Sequence, residues 1–176
     1  GDTSAGPTPD TDTTEPVPTN SCMVLPEPGF HDALGRLTRA AGTLLLIDET
    51  HTISTGPGGY TRRYGLEPDL FVLGKPVAGG VPASIWGMSE DVAARYEAYD
   101  RKKEPGYSGI GTTLSANPLQ FAAMRAALEE VMTEANYAHM EKLAARLERG
   151  LPAVVAKHAL AWHDARLGAR VQLISA

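Results

Sequence analysis

The sequence carries a single cysteine, Cys22, among 176 residues, which excludes an intrachain disulfide framework. No apolar run approaches the ~18 residues that a membrane-spanning helix needs. The N-terminal residues contain no apolar core of the kind that marks a secretory leader. Positive charge is scarce at the start: residues 1–35 hold six acids and no Lys or Arg, while the rest carries 16 bases and 15 acids. That near balance offers no broad basic face, so neither nucleic acid nor a membrane is expected as a partner. What is present is ordinary: 43% hydrophobic and 21% charged residues, close to globular averages. A soluble, cytoplasmic protein is expected.

Residues 1–20 hold six Thr and four Pro but no Leu, Ile, Phe or Met. Such a stretch buries too little apolar area to offset its ordering entropy, so it is expected to be a disordered or truncated lead-in. Globular composition begins at Met23. Phe30, Leu34, Leu37 and Ala41 fall on one helical face, and Gly42 stops that helix. Thr43 to Ile47 is a continuous apolar run, as a parallel strand covered on both faces requires, and it ends in Asp48-Glu49. Leu70 to Leu73 repeats the design and ends in Gly74-Lys75. Ala83 to Met88 reads as a third strand, with Ser89 capping the helix that follows.

Asn117-Pro118 opens a further helix with Phe121, Met124, Leu128 and Val131 as its buried stripe. A last long helix is expected from Asn136, with Met140, Leu143 and Leu147 inward and Gly150 as its C-cap. Residues 151–176 read as a short helix and a strand from about Arg170. Strands alternating with helices argue for an α/β fold with a mostly parallel sheet. Three or four strands are few for an open sheet of that kind, so the domain is expected to be partial.

In open α/β sheets, ligands sit beyond the carboxyl ends of the strands. Two such ends here carry Asp48 and Lys75, an acid and an amine able to share one ligand. Gly74, Gly79 and Gly80 let backbone approach a bulky planar group, while Pro76 and Pro82 restrict φ. A lysine held this way suits Schiff-base chemistry, since desolvation or a cationic neighbour lowers its pKa from ~10.4. A buried carboxylate suits the ring nitrogen of pyridoxal phosphate, because it keeps that nitrogen protonated and the ring an electron sink.

Other readings are weaker. Asp48-Glu49 alone also suits a helix cap or a metal, but no Cys or second His stands at zinc spacing from His51, and no metal site is expected. Gly74-Lys75 does not make a phosphate loop, because Pro76 follows the lysine and Asp69 stands where that motif needs glycine. His158 and His163 read as surface residues, and Cys22 as a small buried apolar side chain.

Leu44-Leu45-Leu46-Ile47-Asp48-Glu49-Thr50-His51-Thr52 and Gly74-Lys75-Pro76-Val77-Ala78-Gly79-Gly80-Val81-Pro82-Ala83 together resemble the class III pyridoxal-phosphate aminotransferases. The likeness is to the glutamate-1-semialdehyde aminomutases and β-amino-acid aminotransferases of that family. Glu15-Pro16-Val17, Pro26-Glu27-Pro28-Gly29-Phe30 and Gly111-Thr112-Thr113-Leu114-Ser115-Ala116-Asn117-Pro118 carry it further, so that it spans about Glu15 to about Ala135.

The resemblance implies a fold-type-I architecture: a partial cofactor-binding large domain over residues 21–135 and an incomplete small C-terminal domain over 136–176. It implies that Lys75 is the Schiff-base lysine and proton shuttle, and that Asp48 pairs with the pyridinium nitrogen. Thr50 takes the position that packs on the ring face, where many relatives have Val. His51 takes the position beside the phenolic oxygen, where relatives often carry Gln or Met. Thr113 matches a threonine that reaches a cofactor phosphate held mainly by the neighbouring subunit, and Thr112 is expected to help at the helix start that follows. The implied activity is transamination between an amino acid, β-amino acids included, and an oxo acid, in a homodimer. A 2,1-aminomutase is the alternative. The phosphate cup of relatives lies upstream of Glu15 and has no counterpart here, so an internal fragment, inactive alone, is expected.

Overall fold

Leu44–Asp48 is apolar up to its final residue and forms a strand between two parallel neighbours. The computed structural model describes residues 9–20, 22–104, 106, 109–111 and 113–175; Thr112 and residues 1–8 lie outside the described residues. Among these, one sheet has the order β1 (Thr11–Thr14), β2 (Leu44–Asp48), β3 (Leu70–Leu73), β4 (Ile85–Met88). The first three strands run parallel and β4 runs antiparallel to β3. Among the described residues, no helix is long and apolar enough to cross a membrane.

Strand β1 corrects the reading of residues 1–20 as a lead-in without structure. Thr11 to Thr14 pairs in register with Leu44 to Ile47, and Leu44 N–H donates to the Asp10 carbonyl at 2.8 Å. Counting apolar residues missed it, because β-branched threonines suit an extended, pleated backbone without adding hydrophobicity. Ladder hydrogen bonds to an apolar neighbour then do what side-chain burial does elsewhere.

The helices are α1 (Phe30–Ala41), α2 (Gly59–Tyr64), α3 (Glu90–Asp100), α4 (Pro118–Ala126) and α5 (Glu134–Lys157). Their caps follow the sequence reading in part. Gly42 ends α1 in the left-handed conformation, the Ser89 hydroxyl accepts from Val92 N–H, and Asn117 accepts from Leu119 N–H ahead of Pro118. Gly150 does not end α5, which continues through Pro152 to Lys157. Leu151 and Val155 extend its inward face beyond that glycine.

Which face each helix buries differs from expectation. On α1 the buried residues are Gly35 and Thr38, while Phe30 and Leu37 are exposed. The Thr38 hydroxyl is satisfied within the helix, donating to Leu34 O at 3.1 Å, so small side chains can seat α1 closely on the sheet. On α4 only Met124 is buried, Ala127 follows it in a π turn, and Phe121, Leu128 and Val131 are exposed. On α5 the inward residues are Tyr137, Glu141, Ala144, Glu148, Leu151 and Val155, not Met140, Leu143 and Leu147. Two glutamates disguised that stripe. Glu141 pairs with Arg63 at 2.5 Å and Glu148 with Arg166 at 2.6 Å, so the carboxylates sit on a packed face with partners.

After α5 the chain makes an antiparallel hairpin, β5 (Trp162–Leu167) and β6 (Arg170–Ser175), where one strand had been expected. Gly168 is the first of its two turn residues, with φ +56. A Cβ there would lie 2.7 Å from both the Cα and the carbonyl oxygen of Thr55, so this turn is pressed against the segment that follows β2. Val17, Met23, Tyr60 and Leu167 form a buried cluster that joins the hairpin to the sheet unit. A second cluster, Ile53, Leu73, Val77, Ala78 and Met124, fixes α4 against the turn after β3.

His31 of α1 sits at the edge of the first cluster, edge-on to Phe30 and to Tyr60 with ring centroids 5.3 and 5.2 Å away. Burial lowers its pKa below the ordinary 6.5, against smaller opposing effects of the Pro16 carbonyl and Asp32. A depressed histidine pKa means that the folded state prefers the neutral ring. Its stabilising contribution is therefore complete above the unfolded pKa and is lost as pH falls through ~6.5 toward the folded value. The melting temperature of the parent should drop more steeply between pH 7 and pH 5 than that of His31→Gln. Parallel thermal-melt profiles for the two proteins would contradict this.

Candidate functional site

The parallel pairing of β1, β2 and β3 brings three carboxyl ends to one edge of the sheet. Glu15 follows β1, Asp48 ends β2, and Gly74-Lys75 follows β3. Because strand side chains alternate, Ile47 and Glu49 turn to buried surroundings while Asp48 between them is only half-buried. Two adjacent carboxylates thus have different surroundings.

Glu49 is fully buried. Its Oε2 accepts from the Thr52 hydroxyl at 2.5 Å and from Tyr60 N–H at 3.2 Å, and its Oε1 accepts from Thr61 N–H. Tyr60 and Thr61 open α2, so this carboxylate caps that short helix from the strand end, one of the roles the sequence allowed for the Asp-Glu pair. Gly59 must be glycine here, since a Cβ would lie 2.6 Å from Glu49 Oε2 and its φ is +68. Glu49 charge also reaches two tyrosines. The Tyr60 and Tyr137 pKa values are both raised, chiefly by burial and further by this carboxylate. Tyr137 spends its hydroxyl on the Ile53 carbonyl at 3.0 Å.

Asp48 Oδ1 accepts from Thr50 N–H at 2.8 Å, and no described residue donates to Oδ2. The Thr50 hydroxyl accepts from Gly74 N–H at 3.2 Å. One threonine therefore touches both the Asp48 carboxylate and the peptide N–H of Gly74, the residue before Lys75. Lys75 is exposed and has φ +41, in the left-handed region that a side chain other than glycine occupies at a cost of ~1–3 kcal/mol. It opens the 3-10 turn Lys75–Ala78, whose Val77 and Ala78 are buried against Met124. Its amine makes no hydrogen bond or ion pair with any described residue.

The remaining expected residues divide. His51 lies beside this edge, with Nδ1 2.7 Å from the buried Thr19 hydroxyl. Thr113 is exposed in the turns ahead of α4, and no hydrogen bond ties it to Asp48, Thr50, His51 or Lys75. Thr112 lies outside the described residues. Sequence reasoning did not single out Thr19 as the partner of His51, and the signal was absent, since the two are 32 positions apart. It also did not foresee the anchoring of this region by the C-terminal unit, where Arg63 donates to Thr55 O at 2.7 Å and pairs with Glu141.

Residues 13–167 match the family Aminotransferase class-III. The glutamate-1-semialdehyde 2,1-aminomutase of Thermomicrobium roseum is 37% identical over 160 residues, covering 90% of this chain and 36% of that protein. A solved glutamate-1-semialdehyde-aminomutase from Pseudomonas aeruginosa PAO1 has a TM-score of 0.86 at 51% identity, over 92% of this chain and 37% of the other. A variant of that enzyme with one lysine replaced by alanine is solved in complex with PMP. A β-phenylalanine aminotransferase from Variovorax paradoxus has a TM-score of 0.78 at 26% identity, over 94% and 38% of the two chains. The chain spans little more than a third of the length of these relatives.

Glu49→Gln tests the buried anchor. The amide would turn N–H groups toward backbone N–H donors, and a buried mismatch of that kind costs about 2–3 kcal/mol. A urea-denaturation midpoint lowered accordingly is expected, and a shift below about 0.5 kcal/mol would remove Glu49 from this role.

Proposed function

Because the chain belongs to the aminotransferase class-III family, we propose that the protein carrying it is a cytoplasmic, homodimeric enzyme that moves amino groups on pyridoxal phosphate, from an amino acid to an oxo acid. The α/β fold is part of the fold-type-I transaminase architecture. Within it, residues 21–135 are assigned to the cofactor-binding domain and 136–176 to the small one. The observation that carries the reading is the placement of Asp48 and of Gly74-Lys75 at the ends of adjacent parallel strands, with Thr50 bonded to both Asp48 and Gly74.

These residues fit the cofactor. Asp48 has one oxygen bonded to the Thr50 N–H and the other without a donor among the described residues, as an acceptor for a protonated ring nitrogen requires. Lys75 offers an exposed amine with no described partner. Lys75, Asp48, Thr50 and His51 would hold the aldehyde side and ring, with Thr113 and Thr112 assigned to the phosphate. When bound, pyridoxal phosphate supplies an aldehyde that captures amines and a ring that stabilises negative charge at the carbon losing a proton.

The residues of this chain then have defined work. Lys75 Nζ would accept the proton lost by the substrate carbon that bears the amine and would pass it to C4′ of the cofactor, the carbon that had carried the aldehyde oxygen. Asp48 would supply a carboxylate to the ring nitrogen, fixed in place by Thr50 N–H before the reaction starts, so that little reorganisation would be needed as charge develops. His51, oriented by Thr19, presents its other ring nitrogen as a polar contact.

A second reading has its own support: the relatives at 37% and 51% identity are named aminomutases, which return the amino group to another carbon of one molecule. Supplying an amine donor with a separate oxo acceptor distinguishes the two, since a transaminase yields two products and a mutase one isomer.

In the protein that carries this sequence, Lys75→Ala should lower turnover at least about a thousandfold. Asp48→Asn should slow proton abstraction about a hundredfold while weakening cofactor retention. Steady-state kinetics with visible absorbance of the bound cofactor check both. Near-parent turnover in Lys75→Ala would end the assignment.

A further inference from the structure

We propose that Thr50 is a positioning residue for Lys75: its hydroxyl, by accepting the Gly74 N–H, anchors the Leu73–Gly74 peptide from which the lysine turn departs, while its own N–H orients the Asp48 carboxylate. This role rests on the aminotransferase reading above and deepens it.

The two hydrogen bonds have different origins. The bond from Thr50 N–H to Asp48 is made by backbone, and any residue at position 50 other than proline keeps it. The bond to Gly74 is made by the side chain, at 3.2 Å, and disappears with the hydroxyl. Gly74 sits directly under that side chain. A Cβ on Gly74 would lie 3.5 Å from Thr50 Oγ1 and 3.6 Å from Cγ2, so the threonine covers this peptide as well as bonding to it.

The adjoining residue explains why the peptide needs holding. Lys75 has φ +41, which its own conformational preferences oppose. Pro76 behind it removes one backbone donor, and the buried Val77 and Ala78 fix the far side of the turn. Gly74, with φ −126 and ψ −141, is the hinge on the near side, and glycine resists few rotations. The Thr50 hydroxyl thus fastens the peptide that enters this hinge, so that the hinge turns from a fixed start. Asp48, Thr50 and Gly74 form one connected unit across the ends of β2 and β3, in which a single residue links the acid to the glycine that precedes the amine.

The test compares the parent protein with Thr50→Val, which keeps the shape without the hydroxyl, and Thr50→Ser, which keeps the hydroxyl. Amide hydrogen exchange is read at Gly74 without cofactor. The visible absorbance against pH, kcat and KM are read after loading with pyridoxal phosphate. Thr50→Val should speed exchange at Gly74 about tenfold, the ratio that one hydrogen bond of ordinary net strength sustains. It should also shift the pH at which the absorbance changes and lower kcat about tenfold with KM unchanged. Thr50→Ser should restore all of these. Unchanged exchange at Gly74 in Thr50→Val overturns the proposal. So does faster exchange with parent-like spectrum and kcat, which makes the hydroxyl merely structural, and so does a Thr50→Ser protein that behaves like Thr50→Val. A parent that takes up no pyridoxal phosphate overturns the underlying reading, and the cofactor-free exchange result separates that failure from loss of the hydrogen bond.

Discussion

The carboxylate of Glu49, sealed from solvent, is the interaction on which this end of the molecule depends. The chain leaves β2, makes a 3-10 turn at Thr52–Thr55, and enters α2 within a dozen residues. That reversal exposes backbone donors to an interior without water, and an unmet donor there costs more than a met one returns. Glu49 satisfies the amides of Tyr60 and Thr61 together with the Thr52 hydroxyl. With its oxygens committed to those donors, it is unavailable as a metal ligand or as an acid for chemistry. Its neighbour Asp48 points the other way by simple strand alternation and keeps one oxygen without a donor among the described residues. A buried anchor and a half-buried carboxylate with an open oxygen thus stand side by side, in two residues that look interchangeable in the sequence.

Much of the site was legible because it is local. Apolar runs ending in Asp48-Glu49 and in Gly74-Lys75 declare two parallel strands, and the general geometry of such sheets places their ends together. Cap residues at Gly42, Ser89 and Asn117 were equally plain, since each acts on its own helix. What stayed hidden was non-local. The Thr19 partner of His51, the ion pair of Arg63 with Glu141 and the approach of Gly168 to Thr55 join positions far apart in the chain, and no spacing rule announces them.

The helix faces teach a related point. A hydrophobic stripe was sought in α1, α4 and α5, yet the inward faces use Gly35 and Thr38, Met124 and Ala127, and a row interrupted by Glu141 and Glu148. Small residues permit close approach, and a carboxylate with an arginine partner is compatible with packing. Size and pairing, not hydrophobicity alone, decided which side faces inward. β1 belongs to the same class of surprise, because threonine served it through backbone shape.

The left-handed backbone at position 75 carries a consequence for protein engineering. Glycine would relax that turn at no steric expense, so a screen that rewards only thermal resilience favours discarding the amine to which the proposed chemistry is assigned. Durability and reactivity are therefore opposed at a single α-carbon, and a stabilised descendant of this scaffold should be sought everywhere except there.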